Sequence, residues 1–255
     1  MFAVKDLSQD THIVKLGTMG EYGTPNIDIE EGWLDIKHND RSDLFLFPRQ
    51  ASSLYHTTKI MDTDLLWLGV RTWGLKVTDL MQGPVYGLET YESKIDDRLK
   101  TIFNYDEIFG TVINRFIVQA IIGFPLTVYG EGSQVRGYIN IKDTLECLKI
   151  SVLHPPKKGK LEIYNQITET FSVNKLASMI QNVGVSLGYD VKIKNVQNPR
   201  IEKEKHYYNP KYQGLTALGL KPHYLNDDLV KEMFRIIEEH KSNIREGVIF
   251  NGIKW

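Results

Sequence analysis

The sequence is poor in cysteine: among its 255 residues only Cys147 carries a thiol, so no disulfide can form within the chain. It also lacks a run of about 18 apolar residues, the length that a membrane-spanning helix needs, and residues 1–6 contain no signal-peptide core. Neither sign of charge dominates, because 31 basic and 32 acidic residues nearly cancel. This balance disfavours nucleic acid or an anionic membrane as a partner.

These absences predict a globular protein that is not inserted in a membrane and that works in a reducing compartment. We expect the cytoplasm, or an organelle stroma if a targeting segment was removed. Hydrophobic residues make up 42% of the chain, which can supply a substantial core. We predict a small ligand as the main partner, and no metal site.

Strand-like and helix-like segments alternate along the chain, which is typical of the α/β class. Short apolar runs at 14–18 and 76–80 flank a helix-length segment, 52–73. Strand, helix and strand at this spacing predict a βαβ unit, and hence a parallel sheet. Further helices are predicted at about 106–123, 140–150, 173–184 and 226–241, and further strands at 159–165 and 191–196.

One group of residues has the chemistry of hydride transfer. Tyr55 and Lys59 are four residues apart in the predicted helix, so both lie on one face, where the ammonium should lower the phenol pKa from about 10. Alone, this pair is a weak signal. Thr18 strengthens it, because its hydroxyl ends the strand before that helix. Together these groups could deprotonate a sugar alcohol while a nicotinamide accepts hydride from its carbon.

Longer strings carry a more specific resemblance. They are K-L-G-T-M-G-E-Y-G-T-P-N-I-D-I-E-E-G at 15–32, Q-A-S-S-L-Y-H-T-T-K at 50–59, N-R-F-I-V-Q-A at 114–120, G-E-G-S-Q-V-R-G-Y at 130–138 and N-P-R-I-E-K-E-K-H-Y-Y-N at 198–209. Over nearly its whole length the chain resembles the UDP-sulfoquinovose synthase family, a nucleotide-sugar branch of the extended short-chain dehydrogenases/reductases. The resemblance implies UDP-glucose and sulfite as substrates, NAD that is reduced and reoxidised within one cycle, and a homodimer. A protein that delivers sulfite is an alternative to free sulfite.

The resemblance also implies catalytic roles. Tyr55 would be the base on the 4-hydroxyl of glucose, Lys59 would tune it and bind the cofactor ribose, and Thr18 would hydrogen-bond the same oxygen. The related 4,6-dehydratases have an Asp-Glu pair directly after this threonine, and this chain has Met-Gly there. Glu21 and His56 are therefore predicted to replace the acidic pair.

The remaining site residues are assigned by the resemblance to the nucleotide sugar, with Tyr55, Lys59 and Gln82 also on the cofactor. The predicted substrate-binding residues are Thr18, Gln82, Asn114, Arg115, Thr127, Val128, Arg136, Arg200 and Glu202. Arg136 and Arg200 would contact the pyrophosphate, since a guanidinium matches phosphate oxygens bidentately. Glu204 is an alternative to Glu202 on the ribose.

By the same resemblance, the fold is a partial Rossmann-type parallel sheet with a smaller C-terminal α/β substrate-binding domain. Residues 1–87 would form the C-terminal part of the NAD-binding domain, and residues 88–255 mainly the UDP-sugar-binding domain, interleaved with late Rossmann elements. The family's glycine-rich nucleotide turn has no counterpart upstream of Thr18. The chain is thus expected to need an N-terminal segment for full NAD binding. A non-catalytic UDP-sugar-binding module and an inactive fragment are the alternatives.

Overall fold

The structure is a computed structural model that describes residues 1–7, 10–100, 102–106, 109–198 and 207–249. The chain forms two compact units. The first unit comprises Met1–Gly83, Asp143–Thr168 and Tyr207–Pro222, and the second comprises Pro84–Lys142, Glu169–His206 and His223–Trp255. The first boundary lies four residues before the predicted one at 87, and two later segments return to the first unit.

Ten strands and eight α-helices are present in the described residues. The strands are β1 (His12–Thr18), β2 (Trp33–His38), β3 (Arg41–Leu46), β4 (Lys76–Gln82), β5 (Val85–Tyr86), β6 (Leu126–Tyr129), β7 (Val135–Asn140), β8 (Lys160–Gln166), β9 (Glu169–Ser172) and β10 (Ile193–Val196). The helices are α1 (Phe2–Asp6), α2 (Leu54–Trp73), α3 (Tyr91–Ile95), α4 (Val112–Ile121), α5 (Ile141–Leu153), α6 (Val173–Ser186), α7 (Gly214–Ala217) and α8 (Asp227–Glu239). Short 3-10 turns occupy Met19–Tyr22, Asp97–Leu99, Lys241–Asn243 and Glu246–Val248.

The first unit is built on a parallel sheet with strand order β1-β4-β8. Helix α2 connects β1 to β4, which confirms the predicted βαβ unit and the α/β class. The register pairs Thr18 with Gln82 and Gln82 with Gln166, so the three residues end their strands at one edge. In a parallel sheet of this type, ligands bind at the carboxyl ends of the strands.

Helix α2 begins and ends at well-defined caps. The Ser53 side chain accepts a hydrogen bond from the backbone N of His56, and Gly74 ends the helix with φ +69°. The helix buries few residues against the sheet, among them Thr63 and Val70. Several large apolar side chains on it are exposed to solvent: Leu54, Met61, Leu65 and Leu68.

The second unit has its own hydrophobic core, formed mainly by α4, α6 and α8 with two small sheets. Strands β6 and β10 pair in parallel, and β7 lies between β5 and β9. Ser172 caps α6 and Asn226 caps α8 through their side chains. Helix α4 is shorter than the predicted segment 106–123, and β6 is followed by a glycine-rich turn.

The hairpin β2–β3 was not predicted. Its two strands pair in antiparallel register, and the connecting residues Asn39 and Asp40 both have positive φ, 47° and 61°. Asn and Asp tolerate this conformation, and a two-residue hairpin loop requires it.

Cys147 is fully buried in α5, within the helix that the sequence predicted, and burial raises the pKa of its thiol to about 12. Within the described ranges, no helix is long and apolar enough to cross a membrane.

Candidate active site

Thr18 is held where β1 ends and the 3-10 turn Met19–Tyr22 begins. Its Oγ1 accepts a hydrogen bond from the backbone N of Gly20 at 3.2 Å. Its backbone N donates to Glu21 Oε1 at 3.3 Å. The hydroxyl that the sequence assigns to the sugar is therefore fixed by its own turn, at the same sheet edge as Gln82.

The glycines around Thr18 have the G-x-x-G-x-x-G spacing of a dinucleotide turn, but not its structure. Gly17 precedes a four-residue 3-10 turn, Met19–Tyr22, Gly20 lies within it, and Gly23 follows it. Such a turn offers no long helix whose first amides could hold a pyrophosphate. Packing explains two of them: a Cβ on Gly17 would lie 2.5 Å from Asp79 Oδ1, and one on Gly20 would lie 2.2 Å from His56 Nε2.

Tyr55, His56 and Lys59 occupy the first turns of α2. The Lys59 ammonium donates a hydrogen bond to the carbonyl of Leu16 at 2.8 Å, which ties α2 to β1. The same ammonium lies 5.9 Å from the centroid of the Tyr55 ring. Tyr55 itself is 57% exposed. The structure thus brings the amine to β1 two residues before Thr18, with the Tyr55 ring beside it.

The pKa of Tyr55 differs from the sequence expectation. Partial burial of the phenol, and then the negative charge of Glu21, raise this pKa above its ordinary value. The Lys59 ammonium, which donates to the Leu16 carbonyl and lies beside the tyrosine ring, does not reverse this shift.

His56 occupies the space next to position 20. The Nε2, Cδ2 and Cε1 atoms of its ring would lie 2.2 to 2.6 Å from a Cβ at Gly20. Its Nδ1 shares a hydrogen bond of 3.3 Å with the Ser52 hydroxyl, and its ring centroid lies 5.5 Å from that of Tyr55. The imidazole therefore fills the space that a side chain at position 20 would occupy.

Glu21 has a different setting from the one predicted for an acid that reaches substrate. Its side chain is fully buried, and its carboxylate accepts hydrogen bonds from Lys15 Nζ at 3.1 Å and Arg49 Nη1 at 3.0 Å. Burial raises the pKa of this carboxyl, although Lys15 and Arg49 act in the opposite direction. The carboxylate faces the protein interior behind Thr18.

The residues around Glu21 were missed by the sequence reasoning. Lys15 and Asp79 are buried on neighbouring strands and form an ion pair with 3.0 Å between Nζ and Oδ2. Thr63 of α2 hydrogen-bonds both. A signal was available: each charge interrupts an apolar strand, and charged residues are almost never fully buried unless they are paired.

Five of the predicted substrate residues lie in the described part of the second unit, and three of them, Arg115, Thr127 and Val128, are buried. Arg115 is 6% exposed, donates from Nη2 to the carbonyl of Thr127 at 3.3 Å, and has its guanidinium carbon 4.3 Å from the Tyr129 ring centroid. Thr127 is buried and exchanges two hydrogen bonds with the Gln119 side chain. Val128 is fully buried in the hydrophobic core. In this structure these side chains brace α4 against β6, and their assignment to substrate stays a prediction.

Asn114 and Arg136 are half-buried in the same unit. Asn114 Nδ2 donates to the carbonyl of Asn104 at 2.9 Å, and its buried Oδ1 has no hydrogen-bond partner among the residues that the structure describes. Arg136 Nη1 donates to the carbonyl of Val135 at 2.8 Å. Arg200, Glu202 and the alternative Glu204 lie outside the described residues.

The fold matches that of known nucleotide-sugar enzymes. A UDP-glucuronic acid 4-epimerase from Bacillus cereus, solved with UDP-glucuronic acid and NAD, is 16% identical with a TM-score of 0.67, over 94% of this chain and 65% of that one. A dTDP-glucose 4,6-dehydratase from Streptomyces venezuelae, solved with NAD bound, is 17% identical with a TM-score of 0.66, over 94% of this chain and 64% of that one. The fold is thus the Rossmann-type fold of the short-chain dehydrogenase/reductase epimerases and dehydratases.

The sequence narrows this class further. No protein-family model matches the chain. It is 46% identical over 255 residues to the chloroplastic UDP-sulfoquinovose synthase of spinach, covering 100% of this chain and 53% of that protein. It is 43% identical over 256 residues to the UDP-sulfoquinovose synthase of Sulfolobus acidocaldarius, covering 99% of this chain and 65% of that protein. The predicted resemblance to the UDP-sulfoquinovose synthases is confirmed along the whole chain, which spans about half to two thirds of these relatives.

Proposed function

We propose that the chain carries the sugar-side catalytic centre of a UDP-sulfoquinovose synthase, which converts UDP-glucose and sulfite to UDP-sulfoquinovose and water. The observation that carries this proposal is the hydrogen bond from Lys59, whose ammonium lies beside the Tyr55 ring, to β1 two residues before Thr18, within a chain 46% identical to a synthase. The overall reaction is redox-neutral, since the hydride removed from C4 is later returned to it.

The residues of this chain fit the nicotinamide half of an NAD site, but not the pyrophosphate half. Tyr55 and Lys59 would hold the nicotinamide ribose, and bound NAD would supply the hydride acceptor for C4. The turn after Thr18 forms no seat for the pyrophosphate, because it is a four-residue 3-10 turn. The family's glycine-rich segment would supply that seat, so the assay must include it.

Within this chain, Tyr55 would take the proton of the 4-hydroxyl and Thr18 Oγ1 would hydrogen-bond that oxygen. The raised pKa of Tyr55 keeps the phenol protonated at neutral pH. When UDP-glucose and NAD are both bound, the positive charge of the oxidised nicotinamide ring near the phenol would favour loss of the phenolic proton. Oxidation at C4 acidifies the C5 proton, and its removal with loss of the 6-hydroxyl as water leaves a 5,6-alkene to which sulfite adds through sulfur.

His56 is the group we assign to the proton transfers at C5 and C6. It stands over Gly20, where the second acid of the dehydratase pair is expected. Histidine is a common general acid and base, so one group can both remove a proton and return it. The absence of a side chain at Gly20 leaves the space that the ring occupies.

The nucleotide would bind to residues of the second unit, with Asn114, Arg115 and Arg136 nearest to its phosphates and Thr127 and Val128 near its base, as the resemblance implies. Gln82 would contact the sugar. We also propose a homodimer in which the exposed apolar residues of α2 are covered by a second copy. The spinach relative is named as chloroplastic, which agrees with an organelle stroma as one location.

The test is an assay of the chain alone and of the chain joined to the glycine-rich N-terminal segment of a synthase. Both are incubated with NAD, UDP-glucose and sulfite, and sulfonated UDP-hexose is measured by mass spectrometry. We expect product from the joined protein. Its absence there, with UDP-glucose still bound, would favour the second candidate, a binding module that lacks a nucleotide seat.

A further inference from the structure

Four charged side chains lie buried together behind Thr18 and Lys59. They are Lys15, Glu21, Arg49 and Asp79, with 8%, 0%, 5% and 0% of their side chains exposed. We call them the charge cluster. Two positive and two negative charges balance, and three ion pairs of 3.0 to 3.1 Å connect them.

The charge cluster binds the backbone of two residues of the proposed catalytic set. Lys15 Nζ donates to the carbonyl oxygen of Lys59 at 3.0 Å, and Thr63 Oγ1, which donates its proton to Asp79 Oδ2, lies 3.4 Å from the same oxygen. Glu21 Oε1 accepts from the backbone N of Thr18 at 3.3 Å. The cluster thus connects the end of β1 to the turn of α2 that carries the lysine.

Thr63 completes the connection from the helix side. Its hydroxyl lies 2.6 Å from Asp79 Oδ2 and also contacts Lys15 Nζ. Stability alone does not account for such an arrangement, because well-packed apolar residues often replace a buried ion pair without loss of stability. What an apolar replacement could not do is hold the Lys59 carbonyl and the Thr18 amide through directed hydrogen bonds.

We propose that Lys15, Thr63 and Asp79 are positioning residues, which act through Glu21 and the Lys59 backbone to fix Thr18 and Lys59 relative to each other. This inference rests on the proposed function, since it concerns the same site. Glu21, in this account, acts on Thr18 from behind and transfers no proton to the sugar. Positioning of this kind matters because a displacement of about 1 Å can cost on the order of 100-fold in rate.

Thr63 offers the cleanest test, because removing one hydroxyl leaves all four charges in place. In the joined protein, Thr63→Val should lower kcat roughly 10-fold, with a smaller change in KM for UDP-glucose. The reason is that Thr18 and Lys59 lose their alignment, whereas the residues proposed to bind the nucleotide are unchanged. Thr63→Ser keeps the hydroxyl and should restore kcat. Thr72→Val is the matched control, since Thr72 also donates to the carbonyl four residues earlier in α2, at 2.7 Å, but is exposed and does not contact the cluster.

Val70→Ala distinguishes a positioning role of Thr63 from a purely structural one, because it removes buried methyl groups from the same helix without removing a hydrogen bond. If Val70→Ala lowers Tm as much as Thr63→Val and lowers kcat equally, the positioning role is overturned. An unchanged kcat in Thr63→Val, or a failure of Thr63→Ser to restore it, also overturns it.

A measurement that does not depend on catalysis tests the positioning role independently of the proposed function. In the 255-residue chain labelled with nitrogen-15 lysine, the ammonium signals of Lys15 and Lys59 are assigned with Lys15→Met and Lys59→Met. We expect both signals to shift in Thr63→Val and to return in Thr63→Ser. A joined protein that makes no product refutes the proposed function, whereas a Lys59 signal that is unchanged in Thr63→Val refutes the positioning role.

Discussion

Gly20→Ala is predicted to impair the later steps of the proposed reaction while sparing the first. The added Cβ would lie 2.2 Å from His56 Nε2, and ordinary contact begins at 3.4 Å, so the imidazole must move by about 1.2 Å. The ring is half-buried and can turn about its own torsions. The stability cost is therefore small, about 1 kcal/mol for an off-rotamer side chain, or roughly 2–4 °C in Tm.

The catalytic cost should be much larger than the stability cost. A displacement of this size is worth on the order of 100-fold when the moved group transfers a proton. We expect sulfonated product to form about 100-fold more slowly in the joined Gly20→Ala protein, while Tyr55 and Lys59 still support oxidation at C4. The assay follows product by mass spectrometry, and C4 oxidation by the absorbance of reduced nicotinamide in single turnover.

Two comparisons make this prediction specific. Gly247→Ala is the matched control, because a Cβ there would meet no heavy atom within 4 Å. His56→Ala removes the ring, so adding Gly20→Ala to it should have little further effect, as expected for two changes that act through one contact. Wild-type rates in Gly20→Ala, or fully additive losses in the double variant, would refute the assignment of His56.

Three further predictions concern single side chains. Tyr55→Phe should abolish turnover of the joined protein and leave UDP-glucose binding by calorimetry intact; lost binding would indicate a structural role instead. Glu21→Gln should lower the pKa of Tyr55, because the Glu21 charge disfavours the phenolate; difference absorbance near 295 nm against Tyr55→Phe measures it, and a higher pKa would contradict the reasoning. Cys147, buried with a thiol pKa of about 12, should resist iodoacetamide at pH 8 until the chain is unfolded, and rapid labelling of the native protein would contradict its burial.

Much of the architecture follows from local patterns in the sequence. The β1–α2–β4 unit was predictable because each strand is a short apolar run and because Ser53 and Gly74 are strong helix caps. The turn of the hairpin β2–β3 is signalled in the sequence by Asn39 and Asp40, which tolerate positive φ. The partners of Lys15 could not be predicted, because Asp79 is 64 residues away and meets it only when the strands pair.

The site also shows what counting along the sequence does not give. Glu21 was predicted to replace the acidic pair of the dehydratases because it follows Thr18 closely, and the structure adds that its buried carboxylate pairs with Lys15 and Arg49. The space beside Gly20 is filled from another element, by His56 of α2. Because α2 also carries Tyr55, Lys59 and the buried Thr63, one helix packed on one strand fixes the proposed base, its lysine and the imidazole together. Changes that shift α2 along β1 should therefore alter all three functions at once, whereas changes at Gly20 should alter only the last.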